Sequence, residues 1–176
     1  ATSMVACGDA DGAVTGNTRR FGASLEKIKQ VVDVRKGEIM FGLNMIVHKG
    51  RTIFIGDTSV HEYPTSEEMA NIAISAARVV RLFGFNPKVA FVSHSTFGQP
   101  LTSRTKHIRS AVEILKDKKV DFEFDGDMQP DVALNADYEE LYPFAKIVGK
   151  ANILIMPGQH SAAISYKLMK TFGDAK

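Results

Sequence analysis

The chain has 176 residues, 44% of them hydrophobic and 24% charged, with a net charge of +2, which excludes a disordered chain and fits one globular domain of ordinary size. Its basic residues are spread out, and Lys116, Lys118 and Lys119 fall where a helix should end, so the helix dipole explains them without a nucleic-acid partner. No apolar run is long enough to span a membrane, no secretory signal opens the chain, and the lone Cys7 cannot form an internal disulfide, so a cytoplasmic protein with a buried, inert thiol is expected.

In chain order, Ser3 to Cys7 is short and apolar, with Ala1 reading as the tail of a helix, and Gly8-Asp9-Ala10-Asp11-Gly12 is a turn signal. Ala13-Val14-Thr15 suits a brief strand. Gly16-Asn17-Thr18-Arg19-Arg20 then enters a helix whose apolar face is Leu25, Ile28, Val31 and Val32. Ile39 to His48 predicts a strand that Lys49-Gly50-Arg51 turns back into Thr52–Gly56 as a hairpin. Thr65 and Glu68 have the spacing of a capping box, and the helix they start shows Met69, Ile72, Ala73, Ala76, Val79, Val80 and Phe83 on one face. Gly84 ends it.

Val89–Val92 reads as a strand, and Thr102 caps a helix striped by Ile108, Ala111, Val112 and Leu115. Val120–Phe124 alternates, as a half-exposed strand near a sheet edge does, and Asp127–Tyr142 suits short helical turns. Ile153–Met156 has no polar face and predicts a central strand. A last helix from about Ser161 is expected to turn Ile164, Leu168 and Met169 inward. Strands alternating with helices indicate an α/β fold on a largely parallel sheet with an added hairpin. The chain opens in the tail of one helix and stops soon after another. It is therefore expected to be a single domain over residues 1–176, incomplete and part of a longer multidomain polypeptide.

Three apolar strands end in small polar residues: Gly56 before Asp57-Thr58, Val92 before Ser93-His94-Ser95-Thr96-Phe97-Gly98, and Met156 before Pro157-Gly158-Gln159-His160-Ser161. Open α/β sheets bind ligands at the carboxyl ends of their strands, and helix N-termini suit anions. Ser95 and Thr96 offer hydroxyls there, and Gly98 permits a close backbone approach; the same residues would also serve simply as turn and cap. No Walker loop, Gly-x-Gly-x-x-Gly run, nucleophile elbow or zinc-type histidine spacing is present. His94 and His160 belong to loops at one sheet edge. Asp57, Glu123, Asp125 and Asp127 suit metal or base chemistry, or plain solvation on turns. Arg19 and Arg20 are the best cations for a phosphate.

Together these segments resemble a known family. Gly8–Arg19, Ile55–Thr58, Pro64–Glu68, Val89–Gly98, Phe124–Gln129 and Gly149–Pro157 follow, in order, the motifs of the phosphate acetyl/butyryl transferase domain. Thr15-Gly16-Asn17-Thr18-Arg19, Asp57-Thr58 and Ser95-Thr96-Phe97-Gly98 are most similar to the version fused to the C-terminus of bacterial NADP-dependent malic enzymes. Active transferases typically have cysteine where Thr58 stands, and a different run after Pro157.

The resemblance implies a three-layer α/β/α fold of the isocitrate/isopropylmalate dehydrogenase type. It implies an acetyl-CoA or other acyl-CoA effector, bound by Thr15, Thr18, Arg19, Asp57, Thr58, Ser93, Ser95, Thr96, Phe97, Gly98, His160 and Ser161. It implies a non-catalytic regulatory role, pairing of like domains into a homo-oligomer, and no cofactor in this segment, NADP and a divalent metal belonging to the parent enzyme's other domain. Two alternatives stay open: an active phosphate acetyl- or butyryltransferase, and an oligomerisation module with a vestigial pocket.

Overall fold

The computed structural model describes residues 1–16 and 18–173. Asn17, inside the Thr15–Arg19 motif, lies outside the described residues. The chain divides into two compact units, Ala1–Glu38 and Ile39–Lys176. The first holds α1 (Thr2–Ala6) and α2 (Phe21–Lys29). The expected strand over Ala13–Thr15 does not form: Val14 is fully exposed, and among the described residues no strand pairs with it. Helix α2 stops at Lys29, short of Val31 and Val32, and Cys7 is exposed rather than buried.

In the second unit, β1 (Leu43–His48) and β2 (Arg51–Gly56) form the expected antiparallel hairpin. Lys49 and Gly50 both take positive φ, 47° and 78°, the turn geometry that matches strand twist. Strand β1 begins at Leu43 instead of Ile39, because its partner β2 ends at Gly56 and the Gly42 N–H turns to the Asp57 carboxylate. Next come α3 (Ser66–Leu82), β3 (Lys88–Val92), α4 (Ser103–Asp117), β4 (Glu123–Met128), α5 (Pro130–Leu134), a 3-10 helix over Ala136–Leu141, β5 (Ile153–Ile155) and α6 (Gln159–Phe172). The sheet order is β1-β2-β5-β3-β4, with β2, β5, β3 and β4 parallel. Strand β5 is thus central, as its all-apolar sequence requires.

Successive strand side chains point to opposite faces. Phe54, Phe91, Ile153 and Ile155 pack on the stripes of α3 and α4, while Ile55, Ala90, Leu154 and Met156 pack with Val132, Ile147 and Ala162 on the other face. The result is a three-layer arrangement. Strand β4 lies at an edge as expected but is displaced toward the C-terminus, since its register with β3 runs from Lys88↔Glu123 to Val92↔Met128. Helix α6 also differs from expectation: Ala162 is buried, whereas Ile164 and Leu168 are exposed with Phe172 on an outward stripe.

The capping box of α3 is present. Glu68 N–H donates to Thr65 Oγ1 at 3.2 Å, and Thr65 N–H donates to Glu68 Oε2 at 2.7 Å. That second bond, more than any other influence, holds the Glu68 carboxyl below its ordinary value of 4.5. A depressed folded value means its stabilisation is complete above about pH 4.5 and disappears as pH falls through the lower folded value. Thr65→Ala is expected to cost about 1 kcal/mol in urea denaturation. Glu68→Gln should flatten the acid limb of stability below pH 4.5.

Candidate functional site

Asp57, the first residue after β2, is 1% exposed. Its Oδ1 accepts from the N–H groups of Gly42 (2.7 Å), Ser59 (2.8 Å) and Val60 (3.1 Å). Its Oδ2 accepts from the His61 N–H at 2.8 Å and meets His61 Nδ1 at 2.6 Å. Both oxygens are therefore occupied by the protein's own loop. A carboxylate that gathers this many donors fixes a backbone path. Two further bonds tie that path down: Gln159 N–H to His61 O at 3.1 Å, and His107 Nε2 to Pro64 O at 2.9 Å. Gly158 lets the loop after β5 come this close, because a Cβ there would stand 2.4 Å from Glu62 O.

The loops after β2, β3 and β5, with the first turns of α4 and α6, enclose a cleft of about 240 Å³. Tyr63, Ile108 and Pro157 supply apolar wall; Ser93, His94, Arg104, His160, Ser161 and Glu62 supply the polar groups. His160 Nε2 pairs with Glu62 Oε1 at 2.9 Å, and its ring stacks on Tyr63 at 6.2 Å between centroids. The Arg104 guanidinium lies 5.2 Å from the same tyrosine ring, a cation–π contact that orients it at the cleft. Helix α6 has no side-chain cap at its N-terminus, so the positive end of its dipole lies at the cleft, although the Gln159 N–H is taken by His61 O. The Ser161 hydroxyl donates to Gly158 O at 2.8 Å, and Ser93 Oγ accepts from Ser95 N–H at 3.3 Å. Among the described residues, neither serine is paired with a base. The cleft thus sets Arg104 and the N-terminus of α6 beside an apolar wall.

Within the second unit the expected site residues separate. Ser93, His160 and Ser161 line the cleft. Asp57 and Thr58 stand behind it, Thr58 Oγ1 donating to Asn44 Oδ1 at 3.0 Å. Ser95 is fully buried and donates to the equally buried Asp127, whose Oδ1 has no hydrogen-bond partner. Asp57 and Asp127 are thus buried, not solvated on turns. Thr96 Oγ1 accepts from Gln129 N–H at 3.2 Å, and Gln129 Nε2 reaches His94 O at 2.8 Å, fastening the loop to the end of β4. Phe97 lines a different cavity, against α4, and Gly98 stands next to Arg109 of that helix.

In the first unit, Thr15, Thr18 and Arg19 line their own cavity of about 350 Å³ with Ser24 and Lys27. Sequence reading missed Glu62, Tyr63 and Arg104. The nearest signals were the apolar-to-polar change at Gly56, which marks a loop but not its path, and the cap at Thr102, which places Arg104 in a first helical turn.

Residues 1–176 match the family model described as phosphate acetyl/butaryl transferase. An NADP-dependent malic enzyme from Rhizobium meliloti is 47% identical over 175 residues, 99% of this chain and 23% of that protein. A phosphate acetyltransferase from Clostridium acetobutylicum is 33% identical over 186 residues, 100% of this chain and 56% of its own length. A phosphotransacetylase from Streptococcus pyogenes superposes with a TM-score of 0.92 at 26% identity, covering 99% of this chain and 54% of that one. The chain therefore spans about a quarter of the Rhizobium meliloti malic enzyme and about half of the Clostridium acetobutylicum and Streptococcus pyogenes proteins.

Proposed function

The chain belongs to the phosphate acetyl/butyryl transferase family, and from that premise we propose that it is an acyl-CoA-binding regulatory domain of an NADP-dependent malic enzyme. The observation that carries this is the cleft at the carboxyl ends of β2, β3 and β5. It sets Arg104 and His160 beside an apolar wall. Such a site suits a thioester with an anionic tail. Support for the malic-enzyme branch is the 47% identity to the Rhizobium meliloti enzyme, against 33% to the Clostridium acetobutylicum transferase. An isocitrate/isopropylmalate dehydrogenase-like fold, residues 1–176 as one incomplete domain of a longer chain, and pairing of like domains are parts of the same proposal. So are a cytoplasmic location and NADP with a metal on a separate domain; among the described residues, no helix is long and apolar enough to cross a membrane.

Regulation requires that acetyl-CoA bind one state of the parent enzyme better than another. The expected result is that acetyl-CoA slows malate oxidation by the full-length enzyme, and that Arg104→Ala raises the concentration needed by about tenfold or more. Inhibition unchanged by that substitution would overturn the assignment of the cleft. The transferase reading has its own support in the Streptococcus pyogenes superposition. It predicts acetyl phosphate when the full-length enzyme receives acetyl-CoA and phosphate.

A further inference from the structure

On the far side of the Ser93–Gly98 loop lies a second cavity of about 250 Å³, at the open β4 edge of the sheet. Phe97 and Gly98 both take left-handed backbone, φ 49° and 83°. Phenylalanine rarely adopts that conformation, and such outliers cluster where a side chain has to be aimed. Here it puts the Phe97 ring against Phe144, with centroids 4.9 Å apart and planes inclined by 67°. Phe144 itself is 69% exposed, an uncovered aromatic face at the mouth of the cavity. Glycine suits position 98 because of its left-handed backbone, and its missing side chain leaves room for Arg109 Nη1.

The charges in the cavity are unequal. Lys116 is neutralised by Glu113 at 2.7 Å, and the Asp125 carboxylate accepts from the backbone N–H groups of Gly126 and Lys146, both at 2.9 Å. Among the described residues, neither the Arg109 guanidinium nor the Lys146 ammonium has a carboxylate partner. Three cations, Arg109, Lys116 and Lys146, against two carboxylates, Glu113 and Asp125, leave the lining net positive beside an open aromatic ring, a combination that suits a phosphate joined to a flat heterocycle. We propose that this cavity is a nucleoside-phosphate site, in which Phe144 and Phe97 take the base and Arg109 with Lys146 take the phosphate. It does not depend on the acyl-CoA reading of the cleft. The same chemistry is carried by a free adenine nucleotide and by the nucleotide end of coenzyme A.

The test is calorimetry of the 176-residue chain with ADP, coenzyme A and inorganic pyrophosphate, repeated on Phe144→Ala and Lys146→Gln. Both substitutions are at exposed positions, and circular dichroism checks that the fold is kept. ADP is expected to saturate, pyrophosphate to bind about tenfold more weakly for lack of a base, and each substitution to weaken ADP by about fivefold to tenfold. Coenzyme A binding with the same sensitivity to both variants, and at least tenfold tighter than ADP, would identify its nucleotide end as the occupant; equal affinities would identify the free nucleotide. No ADP binding at about 5 mM, pyrophosphate binding as tightly as ADP, or affinities that neither substitution changes would each overturn the proposal. Because Arg104→Ala alters only the acyl-CoA cleft, its effect separates failure of this site from failure of that one.

Discussion

Asp57→Ala is expected to lower the unfolding free energy by about 3 kcal/mol or more. The carboxylate collects four backbone N–H groups and the His61 ring at a position only 1% exposed. Alanine leaves those donors to be satisfied by whatever water can enter, and each buried donor left unpaired costs about 1–3 kcal/mol. Asp57→Asn tests the same point with little change of shape. One oxygen would still accept, while the new amide would face the His61 donors. Its cost is expected to be smaller than that of alanine but still above about 1 kcal/mol. Urea denaturation with an unchanged m-value would read both losses as stability rather than altered compactness. A midpoint within experimental error of the parent protein would mean that the loop after β2 is held by something else.

The second large effect concerns the ligand. Arg104→Ala removes the guanidinium from the cleft and uncovers one side of Tyr63. A charge-assisted hydrogen bond is worth about 1.5–3 kcal/mol, so acetyl-CoA affinity should fall by about 10–100-fold with little change in melting temperature. Arg104→Lys is expected to recover only part of it, because an ammonium lacks the planar fork that both stacks on an aromatic ring and grips an anion. His160→Ala should have a smaller effect, since His160 is already engaged by Glu62.

How far the sequence announces this structure differs from element to element. Helices α3 and α4 and strand β5 were legible because local signals agree with tertiary ones. Their caps, apolar periodicity and burial all point the same way. The short strand over Ala13–Thr15 failed because strand propensity means nothing without a pairing partner. Ile164 and Leu168 misled for a related reason. Helical spacing identifies an apolar stripe, but only packing decides which stripe meets the sheet, and Ala162, Tyr166 and Met169 took that place. At the site, Ser93, His160 and Ser161 were legible because they follow strand ends directly. Asp57 and Ser95 also follow strand ends, yet they face inward and hold the loops. The spacing of polar residues does not distinguish a ligand contact from a support for one. Glu62, Tyr63 and Arg104 were hidden because the path that brings them together is set by the Asp57 hydrogen bonds and by the close approach of Gly158 to Glu62.

Isothermal calorimetry of acetyl-CoA against the 176-residue chain and its Arg104→Ala variant tests most directly whether the cleft after β2, β3 and β5 holds the ligand. Saturable heat for the parent, weakened by about tenfold or more in the variant, is the expected result. No heat at millimolar acetyl-CoA, or equal affinity for both proteins, would contradict it.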